Sequence, residues 1–116
     1  MRNEVLFTKV LDKVFEKRMQ RVAEKKIKKT IKSEYGKEAI KMLPVVEEII
    51  DIYCNHYDSV LMSKELILTY TDAKKIIEKF KKGEIFRVIQ AENGINVEFE
   101  EIPEKSLFDA INMLAS

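Results

Sequence analysis

The fold of this chain is decided by the stretch Leu-Ile-Leu-Thr-Tyr-Thr-Asp-Ala-Lys-Lys-Ile-Ile-Glu-Lys-Phe-Lys-Lys-Gly, residues 66–83. Its first five residues, 66–70, are apolar and partly β-branched, which predicts a short strand. Thr71 is a favourable N-cap and Asp72 follows it, so a helix is expected from there. Apolar residues then recur at helical spacing until Gly83 ends the helix. The outward positions of this helix are Lys74, Lys75, Lys79, Lys81 and Lys82.

The residues after Gly83 have two interpretations. Asn93-Gly94 is a strong hairpin signal, and residues 95–100 alternate between apolar and polar side chains, which predicts a strand. Hairpin rules then make residues 85–91 the partner strand. Residues 84–92 also fit a turn and a half of helix, so both alternatives remain open. After Pro103 a closing amphipathic helix is expected, with Leu107, Phe108, Ile111 and Leu114 on one side.

The N-terminal part predicts one long helix over residues 3–33. Phe7 and each fourth residue up to Ile31 are apolar, and at about 100° per residue this stripe drifts by about 40° per step. A helix of this length spans roughly 45 Å, longer than so small a domain is wide. We therefore expect it to project or to pair two copies in a homodimer. Gly36 then breaks the pattern, and Pro44 is expected to open the next helix.

These elements predict a single α+β domain of 116 residues. Residues 1–60 form a helical half with a long basic helix. Residues 61–116 form a small antiparallel sheet with additional helices.

Charge is unevenly distributed along the chain. Residues 1–42 carry 13 basic and 6 acidic side chains, whereas residues 43–116 carry 8 and 14. The densest basic patch consists of Lys25, Lys26, Lys28, Lys29 and Lys32. Such a patch is usually a solvated helix face, and otherwise contacts nucleic acid or an acidic partner. Base stacking is not expected there, because the patch contains no aromatic residue.

The sequence assigns no catalytic residue, no metal ligand and no cofactor. Cys54 and His56 are the only residues of their types. Two residues apart on a helix, they differ by about 200° and cannot form a thiol–imidazole pair. No segment of about 18 apolar residues suits a membrane span, and the N-terminus has no signal-peptide pattern, so a cytoplasmic protein is expected.

Residues 66–86 resemble the opening of a parvulin-type peptidyl-prolyl isomerase domain. That family begins with a strand of the form His-Ile-Leu-Val, continues with a helix carrying an Ala-x-x-Ile/Leu stripe, and turns a Lys-Lys-Gly-Glu-x-Phe corner. The matching residues here are Ala73, Ile76, Lys81, Lys82, Gly83, Glu84 and Phe86. Residues 102–114 are similar to the family's later helix. The N-terminal helices resemble those preceding the domain in SurA- and PrsA-type foldases.

Most residues associated with isomerase activity in that family are not matched. The family's strand histidine falls at Glu65, and the Met and Phe of its proline pocket fall at Pro103 and Leu107. Isomerisation must twist a peptide bond over a barrier of about 20 kcal/mol, which requires such groups. The resemblance therefore implies a non-catalytic, chaperone-like module that adds a peptide or protein segment to a sheet edge. The residues expected to contact that segment are Glu65, Leu66, Leu68, Phe86, Phe99 and Leu107.

The alternative is a dimeric winged-helix DNA-binding regulator, suggested by a lysine-rich helix followed by a hairpin. That fold needs residues 66–70 within a helix and residues 85–91 in a strand. The parvulin-like fold instead needs a strand at 66–70 and a helix at 84–92. The backbone of these two segments therefore distinguishes the hypotheses.

Overall fold

The chain adopts an α+β fold with a helical N-terminal half. A computed structural model describes residues 3–103, together with Asn112 and Leu114. Residues 3–103 contain α1 (Asn3–Met19), α2 (Glu24–Tyr35), α3 (Lys37–Asn55), β1 (Val60–Met62), α4 (Tyr70–Lys81), β2 (Phe86–Gln90) and β3 (Val97–Glu101). Of the predicted closing helix, Asn112 and Leu114 are described and helical, whereas Leu107, Phe108 and Ile111 lie outside the described residues.

The small sheet is mixed: the predicted antiparallel pairing is present between two of its strands, whereas the third pairs in parallel. The strands lie in the order β1-β2-β3, with β1 parallel to β2 and β2 antiparallel to β3. A parallel pair requires a crossover connection, which α4 supplies between β1 and β2. The short strand β1 was not predicted. Its parallel pairing with β2 is what makes the intervening segment with α4 a crossover connection.

One hydrophobic core joins the helices to the inner face of the sheet. It includes residues from Leu6 in α1 to Val97 in β3. Its fully buried side chains are Phe7, Val10, Val14, Ile31, Ala39, Val46, Val60, Ala73 and Ile76. The two halves of the sequence are therefore packed against each other rather than folded separately.

The single helix predicted over residues 3–33 is wrong, because the chain turns between α1 and α2 at residues 20–23. In a straight helix, the drift of the stripe would rotate Ile31 by about 240° from Phe7. The turn allows both of these residues to be completely buried in the same core. The first part of the α1 stripe thus packs within the chain, whereas Met19 at its end is exposed, and the pairing of two copies stays a prediction.

Arg18 and Arg21 shape this turn. Arg21 has a φ of 58°, in the left-handed region that reverses the chain direction. The guanidinium group of Arg18 donates to Glu24 at the start of α2 over 2.8 Å, and it also contacts the carboxylate of Glu47 in α3. The arginine therefore connects three helices at the corner.

The prediction that Pro44 opens a helix is wrong, because Pro44 lies inside α3. Proline lacks an N–H and so cannot make the helical bond to the carbonyl four residues earlier. The helix nevertheless continues, because Ala39 before the proline and Val46 and Ile50 after it are buried on one face. Gly36, with a φ of 87°, provides the actual boundary between α2 and α3.

The predicted strand at residues 66–70 is also wrong: residues 66–69 are irregular and α4 begins at Tyr70. The hydroxyl of Thr8 in α1 donates to the Leu68 carbonyl over 2.8 Å and accepts from the Leu68 N–H over 2.7 Å. The Gln90 side chain accepts from the N–H of Ile67. Side chains thus make the backbone hydrogen bonds that a neighbouring strand would make in a sheet. Leu66 and Leu68 are buried, and Ile67 is exposed.

The capping residue of α4 is Thr69 rather than Thr71. The Thr69 hydroxyl accepts from the Asp72 N–H over 3.1 Å. Asp72 is buried, and its carboxylate accepts from the N–H of Val97 in β3 over 3.2 Å. The first turn of α4 is thereby connected to the far strand of the sheet.

The hairpin interpretation of the residues after Gly83 is confirmed, and the helix over residues 84–92 is wrong. Strands β2 and β3 pair in antiparallel register. The side-chain oxygen of Asn93 accepts from the N–H groups of Ile95 and Asn96, so these two residues belong to the loop and β3 starts at Val97.

The structure does not contain both of the segments that either fold-family hypothesis requires. The parvulin-like fold needs a strand at residues 66–70 and a helix at 84–92, and the structure has neither. The winged-helix fold needs a helix including residues 66–70 and a strand at 85–91. Of these, only the strand is present, over Phe86–Gln90.

Replacing Thr8 with valine tests the role of its hydroxyl. Thr8→Val preserves side-chain shape but leaves both polar groups of Leu68 without their partner, so we expect the free energy of unfolding to fall by about 1–3 kcal/mol. Chemical denaturation monitored by circular dichroism measures this change. Thr30→Val is the matched control, since it removes only a hydroxyl bond to the Lys26 carbonyl within α2. Equal decreases in the free energy of unfolding in the two variants would contradict a structural role for the Thr8 hydroxyl bonds to Leu68.

Candidate functional site

The described residues among those predicted to bind a peptide do not form one accessible surface. Leu66 and Leu68 are buried and line a cavity between α1 and α3 with free space of about 20 Å³. This is room for one water molecule, not for a side chain. Phe86 is buried against the half-buried ring of Phe99, with 5.9 Å between ring centroids.

Glu65 is exposed and lies apart from the two phenylalanines, on an open depression of about 640 Å³ beside the C-terminal part of α1. Charged and amide side chains dominate this depression, which is lined by Asp12, Phe15, Glu16, Met19, Gln20, Lys64 and Glu65. The ammonium of Lys64 lies 4.4 Å from the centre of the Phe15 ring. Leu107, the last predicted contact, lies outside the described residues.

The outer face of the sheet carries a different set of side chains. Successive residues of a strand point to opposite faces, so the inward orientation of Phe86 and Val88 turns Arg87 and Ile89 outward. Leu61 of β1 is opposite Arg87 and belongs to the same face. A hollow of about 490 Å³ lies here, which we call the outer-face hollow; it is lined by Tyr57, Leu61, Met62, Ser63, Arg87, Val88, Ile89 and Leu114.

Exposed apolar side chains are concentrated in the outer-face hollow. Five large hydrophobic residues are exposed in the described part of the chain, and three of them line it: Tyr57 at 43%, Ile89 at 39% and Leu114 at 69%. Leu61 is only 7% exposed, yet it is not part of the main core. Leu61 and the three exposed residues therefore give the hollow an apolar lining outside the main core, next to Met62 and Val88, which belong to the core.

The charges beside the outer-face hollow are mainly acidic. Arg87 is opposite Glu100 on β3, with 4.0 Å between Nη1 and Oε2, so its charge is partly compensated. Glu98 is opposite Ile89 and has no cation within 4.0 Å among the described residues. This surface can thus accept apolar groups next to a positive charge.

The free edges of the sheet are poorly suited to strand addition. β1 contains only three residues, and the exposed positions of β3 include Glu98, Glu100 and Glu101. Charged side chains on an edge strand oppose pairing with another strand. The outer face is therefore a better docking surface than either edge.

The five lysines predicted as a basic patch all lie exposed on α2, whose buried residues are Ile27 and Ile31. Cys54 and His56 come at the end of α3. Cys54 is exposed, and the His56 ring packs against Phe80 with 4.8 Å between centroids. In the described ranges there is no group of three or more potential metal ligands, and no helix there has the length and apolarity to cross a bilayer.

In comparisons with known proteins, no family model, curated protein or solved structure matches this chain. The geometry of the site is therefore the basis for assigning a function. Sequence reasoning missed the outer-face hollow because it did not recognise β1. The available signal was the apolar run Val60–Met62 directly after a polar segment.

Partial desolvation by neighbouring side chains raises the pKa of Asp12 above its ordinary value, although the residue is exposed on α1 and the positive charge of Lys64 opposes this shift. The folded chain therefore retains the proton at pH values where the unfolded chain has lost it, and stability falls as the pH rises through this interval. We expect Asp12→Asn to be more stable than the parent chain at pH 7, with the difference disappearing below the ordinary carboxyl pKa.

Thermal unfolding at several pH values measures the effect of this substitution. Glu16→Gln is the control, since Glu16 is exposed like Asp12 and lies four residues further along the same side of α1. A stabilisation by Asp12→Asn that is independent of pH would contradict the assigned cause.

Proposed function

We propose that this chain is a non-catalytic protein-binding module that holds an amphipathic segment of a partner in its outer-face hollow. The observation that supports this most directly is the convergence of Tyr57, Ile89 and Leu114 on one concave surface. Clustered exposed apolar side chains on a soluble domain commonly mark an interaction site.

The composition of the hollow suits a protein partner. Tyrosine and arginine are both enriched at protein interfaces, and here Tyr57 and Arg87 flank aliphatic side chains. A volume of about 490 Å³ is within the range of sites that hold small groups of side chains or ligands. Burial of Ile89 and Leu114 by a partner would supply most of the binding free energy.

The chemistry of the partner follows from the acidic rim. Glu98 and Glu100 favour a segment that places lysine or arginine beside its apolar residues, and they disfavour an acidic one. A segment with apolar residues on one side and cations next to them matches both the apolar lining of the hollow and the acidic residues beside it. A chaperone-like role would use the same surface to shield such segments.

This proposal retains the peptide binding expected from the parvulin resemblance but not its site or its strand. A winged-helix regulator is less well supported. Three lysines of its expected recognition helix, α4, are paired with carboxylates: Lys79 with Glu84, Lys81 with Glu48 and Lys82 with Glu78.

A model peptide of leucine and lysine with helical amphipathic spacing provides the test. We expect it to bind the full chain in fluorescence anisotropy and Ile89→Ser to weaken binding about tenfold, because truncation removes a central apolar contact. Leu114→Ser is expected to act in the same direction. Ile67→Ser is the matched control: Ile67 is 37% exposed, nearly the same as Ile89, but it does not line the hollow.

A peptide with the same spacing but glutamate in place of lysine is expected to bind more weakly, because it meets Glu98 and Glu100. Failure of the leucine–lysine peptide to bind would contradict the proposal. Equal weakening by Ile89→Ser and Ile67→Ser would contradict the location of the site.

A further inference from the structure

The two lysine-rich helices of this chain differ in how their charges are compensated. On α4, ammonium groups lie 3.1–3.8 Å from the carboxylates of Glu78, Glu84 and Glu48. On α2, none of the five lysines lies within 4.0 Å of a carboxylate in the part of the chain described by the structure. Three of the five lysines in and directly after α4 are therefore paired with carboxylates, and none of the five on α2 is; Lys74 and Lys75 have no carboxylate within 4.0 Å among the described residues.

The lysines of α2 stay uncompensated because its own acidic residues are engaged by α1. Glu24, at the start of α2, bonds to Arg18 over 2.8 Å. Glu34, near its end, lies 3.4 Å from the ammonium of Lys13. Both carboxylates are thus drawn towards α1 at the ends of the helix.

The lysines form a continuous stripe on the solvent side. At about 100° per residue, Lys25, Lys28, Lys29 and Lys32 fall within a sector of about 100°, roughly opposite the buried Ile27 and Ile31. We call these four residues the α2 stripe. It extends over about 10 Å along the helix. Like charges three and four residues apart repel one another, and a bound polyanion would relieve this repulsion.

We propose that the α2 stripe binds the phosphate backbone of a nucleic-acid duplex, without reading its sequence. Lysine contacts phosphates as a point charge and needs no aromatic partner, which suits a stripe without aromatic residues. Single-stranded binding normally adds base stacking, which this stripe cannot provide.

A membrane surface fits the stripe less well. Amphipathic helices that lie on membranes insert apolar side chains into the bilayer. The apolar residues of α2, Ile27 and Ile31, face the core and are at most 2% exposed. The stripe therefore offers charge without an apolar anchor, and a polyphosphate backbone is the partner that matches it.

The binding of a fluorescent DNA duplex of arbitrary sequence, measured by anisotropy over a range of salt concentrations, tests this proposal. Each lysine–phosphate contact contributes about 0.9 to the slope of log affinity against log salt. Lys25→Gln combined with Lys29→Gln is expected to reduce the slope by about 2 and to weaken binding at low salt about tenfold or more.

The matched control combines Lys81→Gln with Lys82→Gln. It makes the same change in net charge on α4, where both lysines are already paired, and is expected to leave the slope almost unchanged. All four side chains are exposed, and circular dichroism verifies that each variant retains its helices.

The absence of duplex binding at low salt would overturn the proposal. Equal losses in the two double variants would also overturn it, because they would show an effect of net charge alone. Tighter binding to polyglutamate or to vesicles of anionic phospholipid than to the duplex would assign the stripe to another class of partner. Ile89→Ser is expected to leave duplex binding unchanged, so this test is independent of the outer-face hollow.

Discussion

The double hydrogen bond between the Thr8 hydroxyl and the backbone of Leu68 is the interaction on which the arrangement of this fold depends. It joins α1 to a segment 60 residues away that has no strand partner. The next residue, Thr69, caps α4, and Asp72 in the first turn of α4 binds the N–H of Val97 in β3. A series of side-chain bonds to the backbone thus positions the crossover helix between the N-terminal helices and the sheet.

This arrangement leaves two surfaces without partners inside the described part of the chain. The sheet packs its inner face on the helices, so Leu61 and Ile89 form an apolar cluster on the outer face. The turn after α1 directs Ile27 and Ile31 of α2 into the core, so its lysines project into solvent. One surface suits an apolar protein segment and the other a polyanion.

Local rules succeeded where neighbouring residues make the decisive contacts. The hairpin follows from Asn93-Gly94, whose turn is stabilised by the Asn93 side chain itself. The helix after residue 70 follows from apolar residues at helical spacing. Local rules failed at residues 66–68, because the apolar, partly β-branched composition of a strand was present but its hydrogen-bonding partner was a threonine in a distant helix. They also failed at Pro44, where burial on both sides of the proline outweighs the loss of one helical hydrogen bond.

The sequence by itself determined the α+β class, the helical N-terminal half and the exposed lysines of α2, because these follow from spacing and from residue type; it offered the hairpin as one of two interpretations of residues 84–92. Only the tertiary structure decided that the first helix breaks, that β1 exists and that the sheet is mixed. The physical reason is that each of these depends on burial or on hydrogen bonds between residues far apart in the chain. The candidate protein-binding site belongs to this second group: Tyr57, Ile89 and Leu114 converge only after β1 pairs with β2.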